Sequence, residues 1–344
     1  MKERVIDLEK YKILFITGHE FLYNPQNGGQ KCSLRNYTLL QDIFGEENVS
    51  LCMFSNYDYV GLHTNVKIFP TQKNKIELLI NTVSGRNVCN FKVWKDVYKY
   101  INSQMWDLIF CDSSTIGGML KKIKSDAVKI VFFHNIERNY ALNKVKHDGL
   151  IYLVPFFSYR RNEYNAFLYA DYCIYLNERD RKIAEGLYQK KEYYTLPITF
   201  RDCYDENNPI LHKSDRKTLL FVGSFFSPNY QGIKWFIEEV MPGIPDFTLK
   251  IVGKNMEKKR GELERENVEV IGTVNDLMKY YAEADAVVMP IFFGDGMKVK
   301  TAEAMMYGKK IFASREALEG YDIDKVRNNG IFECNNKEEF ITAI

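Results

Sequence analysis

The sequence predicts an α/β protein made of two doubly wound domains, and three observations lead there. Short apolar runs alternate with helical stretches along the first half, the pattern left by parallel strands joined through crossover helices. The same rhythm restarts near residue 218, after a polar and irregular segment. A length of 344 residues also suffices for two domains, each with its own core. The expected division is a first domain over 1–197, an interdomain connection over 198–217 and a second domain over 218–344.

Taken in order, KILFIT is the first strand, KCSLRNYTLLQDIF the first helix and VSLCMF the second strand. DLIFCD, AVKIVFF and YCIYL follow as strands separated by amphipathic stretches. After Pro197 the segment ITFRDCYDENNPILHKSDRK has no apolar period, which marks it as the connection. The second half reads LLFVG as a strand, QGIKWFIEEV as a helix, FTLKIVG and VEVIG as strands, and NDLMKYYAEA as a helix. No internal repeat points to a solenoid.

Composition removes several classes of function. Hydrophobic residues make up 46% and charged residues 27%, as in soluble globular proteins. The net charge is only +2 and the basic residues are dispersed, so a nucleic-acid partner is not expected. The seven cysteines are widely spaced and form no C-x-x-C pair, which disfavours zinc and a disulfide framework. MKERVIDLEKYKILFIT contains no apolar signal core, and no apolar run approaches the ~20 residues of a membrane span. A cytoplasmic location is expected.

Chemistry concentrates between Ala286 and Ser314, AVVMPIFFGDGMKVKTAEAMMYGKKIFAS. AVVMP and KKIFAS read as strands, with a glycine loop and a helix between them that Gly308 stops. In a strand-loop-helix unit of this kind the helix turns its unpaired N–H groups and positive end toward the loop, and an anion is favoured there. Gly294 and Gly296 let a ligand approach the backbone, Lys298 and Lys300 add positive charge, and Glu303 stands about one turn into the helix, where a carboxylate suits ribose hydroxyls. An ordinary reading stands beside this one: Glu is a common dipole partner at helix starts, and Gly-Asp-Gly is a common turn.

The segment resembles the donor site of glycosyltransferase family 4, whose pattern is Glu, seven residues, then a second Glu followed by Ala-Met and a Gly. Glu303-Ala304-Met305 with Gly308 matches the second half, and Asp295 takes the first acidic position with a shorter carboxylate. The likeness is strongest over 218–320 and looser over 12–180. It implies the GT-B fold: two Rossmann-like domains facing a cleft, with the nucleotide sugar held mainly by the second. It further implies that Glu303 binds the ribose, that Asp295 with Gly296 and Met297 meets the donor sugar, and that Val299, Lys298 and Lys300 border the diphosphate.

Other segments add to the resemblance. In GHEFLYNPQNGGQ the pair Gly28-Gly29 opens the first helix; alone it reads as a flexible loop, and in family 4 it borders phosphates and acceptor. VFFHNIERNY is similar to the family's His-Asn-x-Glu element, so His134 would hydrogen-bond the donor sugar with Glu137 nearby; the ordinary reading is a core or capping histidine. FVGSFFSPNYQGIKWF places Gly223 beneath the nucleotide, yet Ser224 and Gln231 stand near the positions where many members carry Arg and Lys. Lys298 and Lys300 are the candidate substitutes, against the reading that one of them is a solvated surface lysine. Asp322 and Asp324 form a chance-level Asp-x-Asp, and no metal or cofactor is expected.

The implied activity is transfer of a sugar from a nucleoside-diphosphate sugar to a glycan, lipid-linked or other acceptor, with retention. A catalytically silent nucleotide-sugar-binding or partner-binding protein and a nucleotide-sugar epimerase are the alternatives. GLIYLVPFFSYRRNEYNAFLYADY, with Arg160 and Arg161, raises peripheral contact with the membrane face, though a helix packed by its apolar side on the first sheet is the preferred reading. Because family members usually continue with further helices, NKEEFITAI also reads as the start of a helix in a naturally short or truncated chain.

Overall fold

Runs of four to six apolar residues are too short for helices and become strands buried on both faces, which requires helices on either side of a parallel sheet. A computed structural model shows this arrangement twice and describes residues 8, 10–22, 25, 27–189, 193–200, 217–294, 296–322 and 330–344, leaving aside the side chains of 147 and 148. These residues form two compact units, one running to Leu196 and one from Pro197, with the short stretch ending at Gly28 grouped with the second. Most of the expected connection, 201–216, lies outside the described residues.

The first unit holds strands β1 (Ile13–Thr17), β2 (Val49–Phe54), β3 (Val66–Phe69), β4 (Leu108–Cys111), β5 (Val128–Phe133), β6 (Tyr172–Tyr175) and β7 (Tyr193–Thr195). All pair in parallel in the order β3-β2-β1-β4-β5-β6-β7. Ile13 of β1 pairs with Val49 on one side and Leu108 on the other. Helices α1 (Gly28–Phe44), α2 (Lys75–Ser84), α3 (Trp94–Asn102), α4 (Glu137–Asp148), α5 (Leu153–Tyr169) and α6 (Glu178–Tyr188) supply the connections, with a 3-10 stretch over Ser114–Lys122.

The second unit holds β8 (Lys217–Val222), β9 (Phe247–Val252), β10 (Val268–Gly272), β11 (Ala286–Met289), β12 (Lys310–Ala313) and β13 (Ile331–Glu333), ordered β10-β9-β8-β11-β12-β13 and again parallel. Its helices are α7 (Ser227–Trp235), α8 (Arg260–Leu263), α9 (Met278–Glu283), α10 (Val299–Met306) and a short helix over Lys337–Ala343. The helix read from QGIKWFIEEV begins four residues earlier, at Ser227 with Pro228 in its first turn, and continues from Phe236 to Val240 as a π-helical turn. Proline is well placed in a first turn, where its missing N–H has no partner to lose.

Three strands escape the sequence pattern: β3, β7 and β13 lie at sheet edges and have only three or four residues. An edge strand has one neighbour and is partly exposed, so it needs no continuous apolar run. The six described cysteines are reduced and buried in the cores, and burial pushes Cys111 up to about 12; Cys203 lies outside the described residues.

One close approach ties the second unit's helices to its sheet. A methyl group on Gly232 of α7 would sit 1.8 Å from the carbonyl oxygen of Pro290, just beyond β11. Only a residue without Cβ allows the helix to lie against that strand end. Gly232→Ala is therefore expected to destabilise the protein by about 1–3 kcal/mol, read as a lowered midpoint of chemical denaturation; an unchanged midpoint would contradict this packing.

Candidate functional site

In a doubly wound sheet, the strands on either side of the point where the order reverses send their following loops in opposite directions, leaving room outside their carboxyl ends. In the second unit those strands are β8 and β11. Gly223 and Ser224 follow β8, and residues 290–298 follow β11 and lead into α10. The glycines, lysines and glutamate singled out in the sequence thus share the sheet's switch point.

Lysine 300 is the centre of this group. Its Nζ donates to Asn229 Oδ1 at 2.6 Å and lies 5.2 Å from the centre of the Phe221 ring. A Cβ on Gly223 would come within 3.0 Å of that Nζ, so glycine is what admits the ammonium beside the end of β8. Asn229 Nδ2 in turn donates to Ser224 O at 2.9 Å, which fixes the amide's orientation. Burial, and then repulsion from Lys298, bring the Lys300 ammonium down to about 7, with Glu303 opposing the shift. A lysine so placed is poised to gain charge when an anion arrives.

Lysine 298 precedes α10 and gives it no side-chain cap. Its Nζ instead donates to Gly296 O at 3.1 Å and to Glu316 Oε1 at 2.8 Å. Tyr321 Oη bridges the helix start, donating to Lys298 O at 2.9 Å and accepting from Ala302 N at 3.0 Å. Both lysines are partly buried and partnered, which corrects the reading of one as a solvated surface residue. Glu303 is buried on α10, and Met297 and Gly296 are buried ahead of it; Gly294 takes a positive φ of 138°. Asp295 and Asp324 lie outside the described residues. Gln231 donates to Ser227 Oγ on the exposed side of α7 and contributes no charge.

In the first unit the switch falls between β1 and β4. A polar cluster unforeseen from sequence, apart from His134, occupies it. Asp112, directly after β4, is fully buried: its Oδ2 accepts from Ser33 Oγ and, at 3.2 Å, from Thr17 Oγ1, while Asn36 Nδ2 donates to Oδ1 at 2.7 Å. His134 Nε2 lies 2.9 Å from Asp112 O and 3.3 Å from Oδ2. Burial alone would neutralise both groups; the mutual attraction of His134 and Asp112 outweighs it, holding the carboxyl below its ordinary range and raising the imidazole well above its own.

His19, just past β1, completes the cluster. Its Nδ1 is 2.7 Å from Ser33 Oγ, and its ring meets that of His134 edge to face at 4.8 Å. Burial, and then the charge of His134, lower it to about 4, so it is neutral at pH 7. Because the single Ser33 hydroxyl proton goes to Asp112, His19 Nδ1 must carry its own proton and donate to Ser33. That leaves Nε2 as a lone-pair acceptor on a side chain 32% exposed. His19, Asp112 and His134 are the described residues whose ligand atoms, all within 4.8 Å, could share a cation; a protonated His134 would first have to release its proton.

Residues 216–344 match the family model described as glycosyl transferases group 1. The second unit is a glycosyltransferase domain. The whole chain is similar in fold to sucrose-phosphate synthase of Thermosynechococcus elongatus (TM-score 0.68, 14% identity, 97% of this chain and 88% of that one). It is likewise similar to Anabaena HepE in complex with UDP and glucose (0.67, 14%, 96% and 88%) and to TarM (0.67, 11%, 98% and 91%). At such identities these likenesses establish the GT-B fold. No curated protein sequence matches the chain significantly.

Within this glycosyltransferase the expected residues divide by unit. Gly223, Ser224, Gly294, Gly296, Met297, Lys298, Val299, Lys300 and Glu303 gather at the second switch point. Gly28 and Gly29 open α1, and His134 and Glu137 flank the start of α4. The Glu137 N–H donates to the buried carboxylate of Glu163 at 2.5 Å, so α4 is anchored from α5. Asp112 had a signal in the sequence, an acid ending the apolar run DLIFCD, but its importance depends on β4 lying next to β1.

The buried pair sets a pH window. Asp112 is held low, so its stabilising contribution is lost as pH falls through its folded value; His134 is held high, so its contribution is lost as pH rises through its own. Asp112→Asn should remove about 3 kcal/mol or more by stranding a buried imidazolium. It should also drop the His134 titration measured by NMR below that of an ordinary histidine. A His134 titration unmoved by the substitution would exclude the pair.

Proposed function

We propose that this glycosyltransferase binds a nucleoside-diphosphate sugar at the second unit's switch point and transfers the sugar, with retention as in family 4, to a hydroxyl of a glycan or lipid-linked acceptor. The observation that carries this reading is the Lys300 ammonium, lodged beside Gly223 and Asn229 in the first turn of α10, with Lys298 at the same helix start. When the bond between the anomeric carbon and phosphate breaks, its electron pair stays on the diphosphate. Fixed cations and a helix start are the groups that stabilise such charge. Glu303, one turn along, is the partner assigned to the ribose, and Asp295 the one assigned to the donor sugar.

Uridine diphosphate sugars are the first donors to test, because HepE was crystallised with UDP-glucose and TarM of S. aureus with UDP and glycan ligands. In the first unit, the His19 Nε2 lone pair is suited to accept a hydrogen bond from a hydroxyl, and we assign it to the acceptor. His134, turned onto Asp112, then acts by holding that cluster in place.

Glu303→Ala is expected to weaken nucleotide binding about tenfold or more, the cost of a lost charged hydrogen bond, with the fold retained by circular dichroism; unchanged affinity in calorimetry would refute the ribose assignment. Lys300→Met should lower the transfer rate by about 10²-fold.

The pH dependence is a separate expectation. With Lys300 near 7 in the free protein, raising the pH removes its proton and charge, whereas bound diphosphate retains the proton. Diphosphate affinity should be highest below pH 7 and decline above it, with proton uptake on binding, and Lys300→Arg should flatten the profile. An affinity independent of pH would show that Lys300 does not meet the phosphates.

A further inference from the structure

Helices on the outside of a water-soluble domain bury their apolar face and expose their polar one. In the first unit, α2 does the reverse, and α5 leaves a long apolar stripe exposed while burying several polar residues. The buried residues of α2 are Glu77 and Asn81, while Ile76 (72% exposed), Leu79, Ile80 and Val83 face outward. On α5 the buried residues are Ser158, Asn162 and Glu163 together with Ala166 and Phe167, the last two in the first unit's core. Its exposed stripe, continued from the turn before it, holds Ile151 (81%), Val154, Phe157 (61%), Tyr164 and Leu168. The sequence-based preference for an α5 packed by its apolar side holds for Ala166 and Phe167, which join the first unit's core, but a second apolar stripe stays outside.

The inversion has structural causes on the inside. Glu77 accepts from Lys73 N at 2.8 Å and from Asn90 Nδ2 at 3.1 Å, and Asn81 Oδ1 accepts from Phe91 N at 3.1 Å. Ser158 Oγ donates to Asn87 Oδ1 at 3.0 Å, and Glu163 receives the first N–H groups of α4. These contacts hold the buried polar groups inward, Asn162 Nδ2 alone among the buried residues named for these two helices lacking a partner, and the exposed stripes are left outside. The helices adjoin, since Arg161 Nη2 donates to Val83 O at 3.2 Å, so the two stripes make one surface.

Charge indicates what covers it. The acids of α2 and α5, Glu77 and Glu163, are buried, so their exposed charges, Lys75, Arg160 and Arg161, are all basic. Beside Phe157 and Tyr164 lies a cavity of about 480 Å³ lined by Arg138, Arg160 and Arg161. A buried Nε of Arg138 has no hydrogen-bond partner. Apolar side chains next to a guanidinium-lined cavity match acyl chains beneath anionic headgroups. A second copy of the same face would set arginine against arginine. No helix among the described residues is long and apolar enough to cross a membrane, so contact would be by this face alone.

We propose that the α2–α5 face docks on an anionic lipid bilayer, with Ile76, Ile151 and Phe157 entering the interface and the Arg138–Arg160–Arg161 cavity receiving a lipid phosphate. This goes beyond the transferase reading and does not depend on it. The test is co-sedimentation of the purified chain with vesicles of phosphatidylglycerol and phosphatidylcholine in equal parts, against phosphatidylcholine alone, without any sugar donor.

The chain is expected to bind the anionic vesicles, to leave them at high salt, and to ignore the neutral ones. Ile151→Ser with Phe157→Ser, and separately Arg160→Glu with Arg161→Glu, should each reduce the bound fraction about tenfold or more. Exposed apolar positions tolerate serine, so the melting temperature of the first pair should be unchanged; Ile76→Ser with Leu79→Ser gives an independent pair on α2. Absence of binding, equal binding to both vesicles, or binding indifferent to these substitutions would overturn the proposal. So would a dimer in solution that the Ile151→Ser, Phe157→Ser chain no longer forms, since a second copy would then be the occupant.

Discussion

A parallel sheet whose strand order runs outward in both directions from its middle must part its loops somewhere, and both sheets here part them once, between β1 and β4 and between β8 and β11. The chain leaves each strand at its carboxyl end, where backbone N–H groups and helix starts are exposed and no loop covers them. Everything polar and buried near those ends follows from that constraint. Gly223 and Asn229 arrange one end around an ammonium, whereas Thr17, Ser33 and Asn36 arrange the other around a carboxylate.

The two ends solve burial of charge differently. Asp112 and His134 are retained as an opposite pair, each group favouring the charged form of the other in a buried site. Lys300 has an amide and an aromatic face where a carboxylate could have stood, and its charge is correspondingly marginal near pH 7. A pair that is already neutralised suits a rigid scaffold, and a cation that is not suits a ligand of opposite sign. The neutral His19 belongs with the scaffold through Nδ1 and with solvent through Nε2, because Ser33 has one proton to give.

Legibility of the fold in the sequence varied with how many neighbours an element has. Central strands such as ILFIT and AVVM are buried on both faces and read as continuous apolar runs, while the edge strands VKIF, YYT and IFE carry no such signal. In the second unit the site is nearly collinear: Gly294 to Glu303 lie in one strand-loop-helix segment, and the local pattern shows what an anion would meet. In the first unit it is not. His19, Ser33, Asp112 and His134 come from four separated stretches, and nothing adjacent to any of them announces the others.

The sequence by itself determined the α/β class, the two-part organisation and the placement of glycines, lysines and Glu303 around one helix start, because these rest on period, spacing and short-range backbone geometry. Tertiary structure decided the rest. It made Asp112 the hub of the first unit by setting β4 beside β1, drew Lys298 and Lys300 off the surface, turned α2 with its polar residues inward and left an apolar stripe of α5 exposed. Helical period shows that a helix has two faces; which face is buried depends on the partners waiting inside. Here the partners were the Lys73 and Phe91 amides and the start of α4, and hydrogen bonds to them hold Glu77, Asn81 and Glu163 inside.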